Sequence, residues 1–124
     1  MRKISQLIIG TITLMSLAYA GEKNAWSWQP VQLKGSYSIY SGELGEEQAP
    51  TRLDRKLAFE ITGQPAKEIF DSMYPDFKPT CSGEKRDRDR RKGNLYCTFT
   101  ANRGYRCFLG FNLRTGASIP GASC

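Results

Sequence analysis

The residues best equipped for chemistry in this chain are carboxylates. Glu43, Glu46, Glu47 and Asp54 gather along one stretch, with Glu60 and Glu68 further on. Glycoside hydrolysis needs two carboxyls at a fixed separation, one of them with a pKa raised by burial. Glu43 and Asp54 are the first candidates for such a pair. Their surroundings favour a plainer role. Gly45-Glu46-Glu47-Gln48-Ala49-Pro50 has the composition of an exposed acidic loop, where carboxylates stay solvated. The loop also lacks the alternating Asp/Asn spacing of a dedicated calcium loop.

The chain contains no histidine. A Ser-His-Asp triad, a Cys-His dyad and a His-ligated zinc or copper site are thereby excluded, along with the commonest general base near neutral pH. There is no G-x-S-x-G elbow, no phosphate-binding loop and no dinucleotide fingerprint. The expectation leans away from an enzyme, and no metal or cofactor is expected.

The second conspicuous feature is the run Glu84-Lys85-Arg86-Asp87-Arg88-Asp89-Arg90-Arg91-Lys92, with six basic and three acidic residues. Unopposed Arg and Lys would suit phosphate contacts, whereas Asp87 and Asp89 partly neutralise this run. It reads first as a solvated, self-compensated loop. If it binds a polyanion, Arg88, Arg90 and Arg91 are the contacts expected, because guanidinium offers a bidentate fork. A third candidate is Trp26-Ser27-Trp28. At period two, both indoles would share one side of a strand. They either cap the core or form an aromatic contact surface for a ligand or glycan.

The four cysteines, Cys81, Cys97, Cys107 and Cys124, show no C-x-x-C spacing, so neither a redox motif nor a zinc ribbon is indicated. An even count in an exported chain reads as a disulfide framework. The favoured pairing is Cys81–Cys97 with Cys107–Cys124, each closing a loop of similar size. The alternative is Cys97–Cys107 with Cys81–Cys124.

Export itself is read from the start of the chain. Met1-Arg2-Lys3 is a positive n-region, Leu7 to Leu17 an apolar stretch, and Ala18-Tyr19-Ala20 a small-x-small cleavage pattern. The apolar stretch is too short for a transmembrane helix, and nothing later is more apolar. Residues 1–20 are therefore expected to be a signal peptide and 21–124 a single domain, periplasmic or secreted. With Arg2 and Lys3 removed the remainder is still basic, which favours encounter with anionic partners.

The elements that must position these residues follow from periodicity. Gly35 to Leu44 suits a strand. Arg55 to Thr62 alternates Leu57, Phe59 and Ile61 with more polar neighbours, the period of a half-buried strand. Ala66, Ile69, Phe70 and Met73 form a helical stripe after Pro65, and Pro75 is the expected stop. Residues 75–94 read as a long polar connection. Leu95 to Thr100 and Tyr105 to Leu113 form a hairpin about Asn102-Arg103-Gly104, and Ala117 to Ile119 a short last strand.

The fold expected is α+β: an antiparallel sheet of about four or five strands with one helix packed on a face, stapled by two disulfides. The function expected is non-enzymatic binding in the cell envelope, inhibitor- or immunity-like, by docking on another envelope or secreted protein. The alternatives are a basic module for anionic glycan or lipopolysaccharide, and a carboxylate-dependent glycan hydrolase. Nucleic acid is not an expected partner.

Overall fold

A computed structural model describes residue 26 and residues 28–124. The expected signal peptide, residues 1–20, lies outside the described residues. Val31–Cys124 forms one compact unit, separate from the unit that ends at Pro30.

Six strands and one helix follow in the order β1 (Gly35–Tyr40), β2 (Lys56–Thr62), α1 (Gly63–Asp71), β3 (Arg88–Lys92), β4 (Leu95–Thr100), β5 (Gly104–Asn112) and β6 (Ser118–Ile119). The sheet is antiparallel with spatial order β1-β2-β5-β4-β3, and β6 pairs with β5 beyond the end of β4. The expected α+β architecture is present, with six strands in place of four or five.

The additional strand is β3, inside the segment read as a polar connection. Its register with β4 sets Arg88 opposite Phe99, Arg90 opposite Cys97 and Lys92 opposite Leu95. A strand of five charged residues is stable here because β4 supplies the apolar half of the pairing. Lys and Arg can also lay their aliphatic stems along apolar surface.

The helix begins at once after β2. Gly63 has φ +67°, a left-handed conformation that side chains other than glycine rarely adopt, and this turns the strand directly into the helix. Ala66 and Phe70 are fully buried beneath it. The helix ends at Asp71, before Pro75 can act. The Ser72 N–H bonds back to the Glu68 and Ile69 carbonyls, and the Ser72 hydroxyl donates to Glu68 O at 2.8 Å. Ile61, Ala66, Phe70, Met73, Cys97 and Cys107 make the core, flanked by Ile69, Leu95, Phe99, Tyr105 and Leu109.

The disulfides are Cys97–Cys107 and Cys81–Cys124, so the favoured pairing is corrected to the alternative. The sheet register decides the matter. Cys97 and Cys107 lie directly opposite each other in the β4–β5 ladder, with Cα atoms 4.0 Å apart, and both are fully buried. Equal loop lengths were a weaker guide than cross-strand proximity. The second bridge spans 43 residues of sequence. In the chain-entropy account a loop of that size is worth on the order of 4 kcal/mol. It anchors the C-terminal tail, which runs hard against β5: a Cβ on Gly121 would sit 2.4 Å from the Leu109 carbonyl oxygen.

Candidate functional site

Asp54 is a structural acceptor. Its Oδ2 takes the Gly42 N–H at 2.8 Å, and the Lys56 ammonium reaches both of its oxygens and the Gly42 carbonyl. The Lys56 hydrogen bond, helped by the Gly42 N–H, holds the Asp54 carboxyl below its ordinary value. Glu47 is lowered too, by the Gly45 N–H and its own backbone N–H. A general acid needs a shift in the opposite direction. Among the described residues no group of three or more His, Cys, Asp or Glu could hold a metal ion.

The charge run does not form one surface. Because β3 is a strand, its side chains alternate, and Arg88 and Arg90 face the helix side of the sheet while Arg91 faces the other. Arg90 is only 7% exposed. Its Nε donates to Asp76 Oδ1 at 2.8 Å, its Nη1 donates to Phe70 O at 2.7 Å, and its guanidinium lies 4.3 Å from the Phe70 ring centroid. Arg88 grips the same Asp76 through two hydrogen bonds, 2.9 and 3.0 Å. Both guanidiniums are therefore occupied in tying β3 to the helix end. Arg91, opposite Tyr96, lies over the Tyr96 ring at 4.5 Å and the Phe77 ring at 5.4 Å. The three arginines expected to act together thus have separate duties. Asp89, counted as a neutralising charge, is 2% exposed; it accepts the Cys81 N–H at 2.7 Å and the Thr98 hydroxyl at 2.9 Å.

Arg88 and Arg90 hold Asp76 at a pKa of about 2, down from 3.8. A carboxyl whose folded pKa is depressed contributes stability above its unfolded pKa and loses that contribution as pH falls through the folded value. The melting temperature of Asp76→Asn should therefore lie below wild type at pH 6, and the gap should close between about pH 4 and pH 2. A thermal-denaturation series showing a constant gap down to pH 2 would contradict this assignment.

Trp26 and Trp28 are 83% and 78% exposed. On the outer face of the sheet a groove of about 360 Å³ is lined by Ser82, Tyr96, Thr98, Arg106, Phe108 and Ser123, among others. Its one guanidinium, Arg106, already faces Glu60 at 3.3 Å, and Asp89 lies beneath Thr98, so it offers no unopposed positive charge.

The surface that sequence reasoning missed lies on the helix side. The helix packs mainly on β5, with less on β2 and β4, and touches β1 little. The strand registers place Tyr37 beside Phe59 and Leu109, and Ile39 beside Leu57 and Phe111, all on the helix side of the sheet. Tyr37 is 70% exposed and Ile39 41%, and the other four are half-buried. The signal was present as alternating apolar residues in β1, β2 and β5. What could not be read was how little of that face one short helix would cover.

No family model matches the chain, and neither a curated protein nor a solved structure matches it. The fold and its surfaces are thus the basis for a functional reading: a small disulfide-stapled sheet with one partly covered apolar face. Among the described residues no helix is long and apolar enough to cross a membrane.

Proposed function

We propose that this is a non-enzymatic binding protein of the cell envelope, exported by its signal peptide, that docks on another envelope or secreted protein. The observation that carries the reading is the apolar sheet face left open beside the helix: Tyr37, Ile39, Leu57, Phe59, Leu109 and Phe111. Contiguous exposed apolar surface on a protein of this size marks interaction sites. Aromatic anchors on a rigid support supply most of the energy in such contacts. Two disulfides hold the sheet that presents them. The carboxylates with shifted pKa values, Glu47, Asp54 and Asp76, are all shifted downward by hydrogen-bonded partners, which favours binding over acid catalysis.

The test is affinity capture from envelope extract on immobilised, oxidised protein, run in parallel with Ile39→Glu/Phe111→Glu. The expected result is one protein retained at near-equal stoichiometry by the wild type and lost with the variant, whose circular dichroism remains native. Capture that ignores the two glutamates, or retention of glycan or lipopolysaccharide in place of a protein, would overturn the reading.

A further inference from the structure

The sheet has two edges, and they are treated differently. The β3 edge consists entirely of charged residues, Arg88 to Lys92, and the Phe77 N–H bonds to the Asp89 carbonyl along it at 2.7 Å. Charge and a covering segment are the usual protection of an edge against further pairing. The β1 edge, Gly35-Ser36-Tyr37-Ser38-Ile39-Tyr40, carries no charge, no proline and no bulge, and its first five residues are exposed.

Hydrogen bonds at its two ends fix which backbone groups are free. The Lys34 carbonyl accepts the Thr62 N–H at 2.9 Å, so even-numbered residues direct their N–H and C=O groups toward β2. Ser41 exchanges both of its bonds with Gln48, at 2.8 and 2.9 Å, so odd-numbered residues direct theirs outward. The outward groups with no backbone partner among the described residues therefore belong to Gly35, Tyr37 and Ile39. The Gln48 pairing at Ser41 closes the edge beyond them.

We propose that β1 pairs antiparallel with β1 of a second copy of this chain, with Tyr37 on the two-fold axis. The register is selected by symmetry. The three free residues are spaced evenly about Tyr37, so a two-fold there sets Tyr37 against Tyr37 and Gly35 against Ile39 twice over. All the outward N–H and C=O groups of both strands are then paired. A shift of two residues one way would set Gly35 against Ser41, whose bonds Gln48 already holds, and the opposite shift would set Ile39 against Leu33, which lies before β1. Directly opposed residues in an antiparallel ladder share a face, so the two tyrosines and two isoleucines form one apolar stripe across the seam. Neither strand brings a charge to oppose its copy. The arrangement is isologous and closed, which consumes both β1 edges and leaves the guarded β3 edges outermost.

The pairing does not depend on the docking reading, since it needs only the chain itself. Sedimentation velocity of the oxidised protein across a hundredfold concentration range tests it, using wild type, Tyr37→Lys, Tyr37→Glu and an equimolar mixture of the two variants. The expected result is a concentration-dependent dimer for wild type, monomer for each variant alone, and recovery of the dimer in the mixture, because position 37 faces itself. Thermal melts of the two variants confirm that each remains folded. A wild type that stays monomeric throughout would overturn the proposal. So would a dimer that both variants retain, or one that the mixture fails to restore.

Discussion

Phe70→Ala should produce the largest loss of stability of any single truncation in the fold, about 3–5 kcal/mol. Phe70 is fully buried at the centre of the core. Its ring meets Tyr105 edge-on at 5.3 Å and lies under the Arg90 guanidinium at 4.3 Å and that of Arg88 at 5.2 Å. Deletion removes the transfer term, leaves a cavity the stapled sheet cannot collapse, and takes away the cation–π partner of a desolvated arginine. In a domain of this size each kcal/mol lowers the melting temperature by roughly 4–8 °C, so a fall of about 12–40 °C is expected in a calorimetric scan. Phe70→Leu should recover most of the volume and less of the arginine contact. A fall of under 5 °C for Phe70→Ala would show that the helix is not the lid the core requires.

Asp89→Ala should rank second, costing on the order of 3 kcal/mol, since each buried polar group left unpaired costs about 1–3 kcal/mol. The Asp89 carboxylate is the only listener for the Cys81 N–H and the Thr98 hydroxyl among the described residues, while its backbone carbonyl accepts from Phe77. One side chain therefore fastens both Thr98 of β4 and Cys81, the residue that carries the long disulfide. Asp89→Asn keeps one acceptor oxygen but places an NH₂ where the other stood. It should fall between wild type and Asp89→Ala in urea midpoint, with an unchanged slope. Equal midpoints for Asp89→Asn and Asp89→Ala would assign the whole effect to charge and none to the hydrogen bonds.

These two residues also show what the sequence made legible. Phe70 could be placed in the core because the spacing of Ala66, Ile69 and Phe70 repeats the helical period, and the strands about Phe59, Cys97 and Leu109 were legible from their period of two. Asp89 could not. In a run of nine charged residues, hydropathy carries no period, so the alternation that buries Asp89 and Arg90 at successive positions leaves no apolar trace. A local sign did exist: Gly93-Asn94 is a two-residue hairpin turn, and Lys92 pairs with Leu95 across it. A turn of that kind before a clear strand calls for a partner strand on its other side. Sequence proximity brought Glu43 and Asp54 together, but Asp54 is spent on Lys56 and the Gly42 N–H. The open face beside the helix depended on how α1 lies across the sheet, mainly over β5, which no residue period states.

The nesting of the two disulfides has a consequence for survival among proteases. The exposed turn at Lys85 and Arg86 presents both residues to a trypsin-like protease. Cys81 precedes that turn, and its partner Cys124 follows every later strand. A cut after either residue therefore opens the chain without releasing a piece. The C-terminal half stays tethered through the long bridge and remains in register with β2 through β5. Digestion at this turn should show an intact mass on a non-reducing gel and two fragments after reduction, so damage at this exposed basic site need not mean loss of the folded surface.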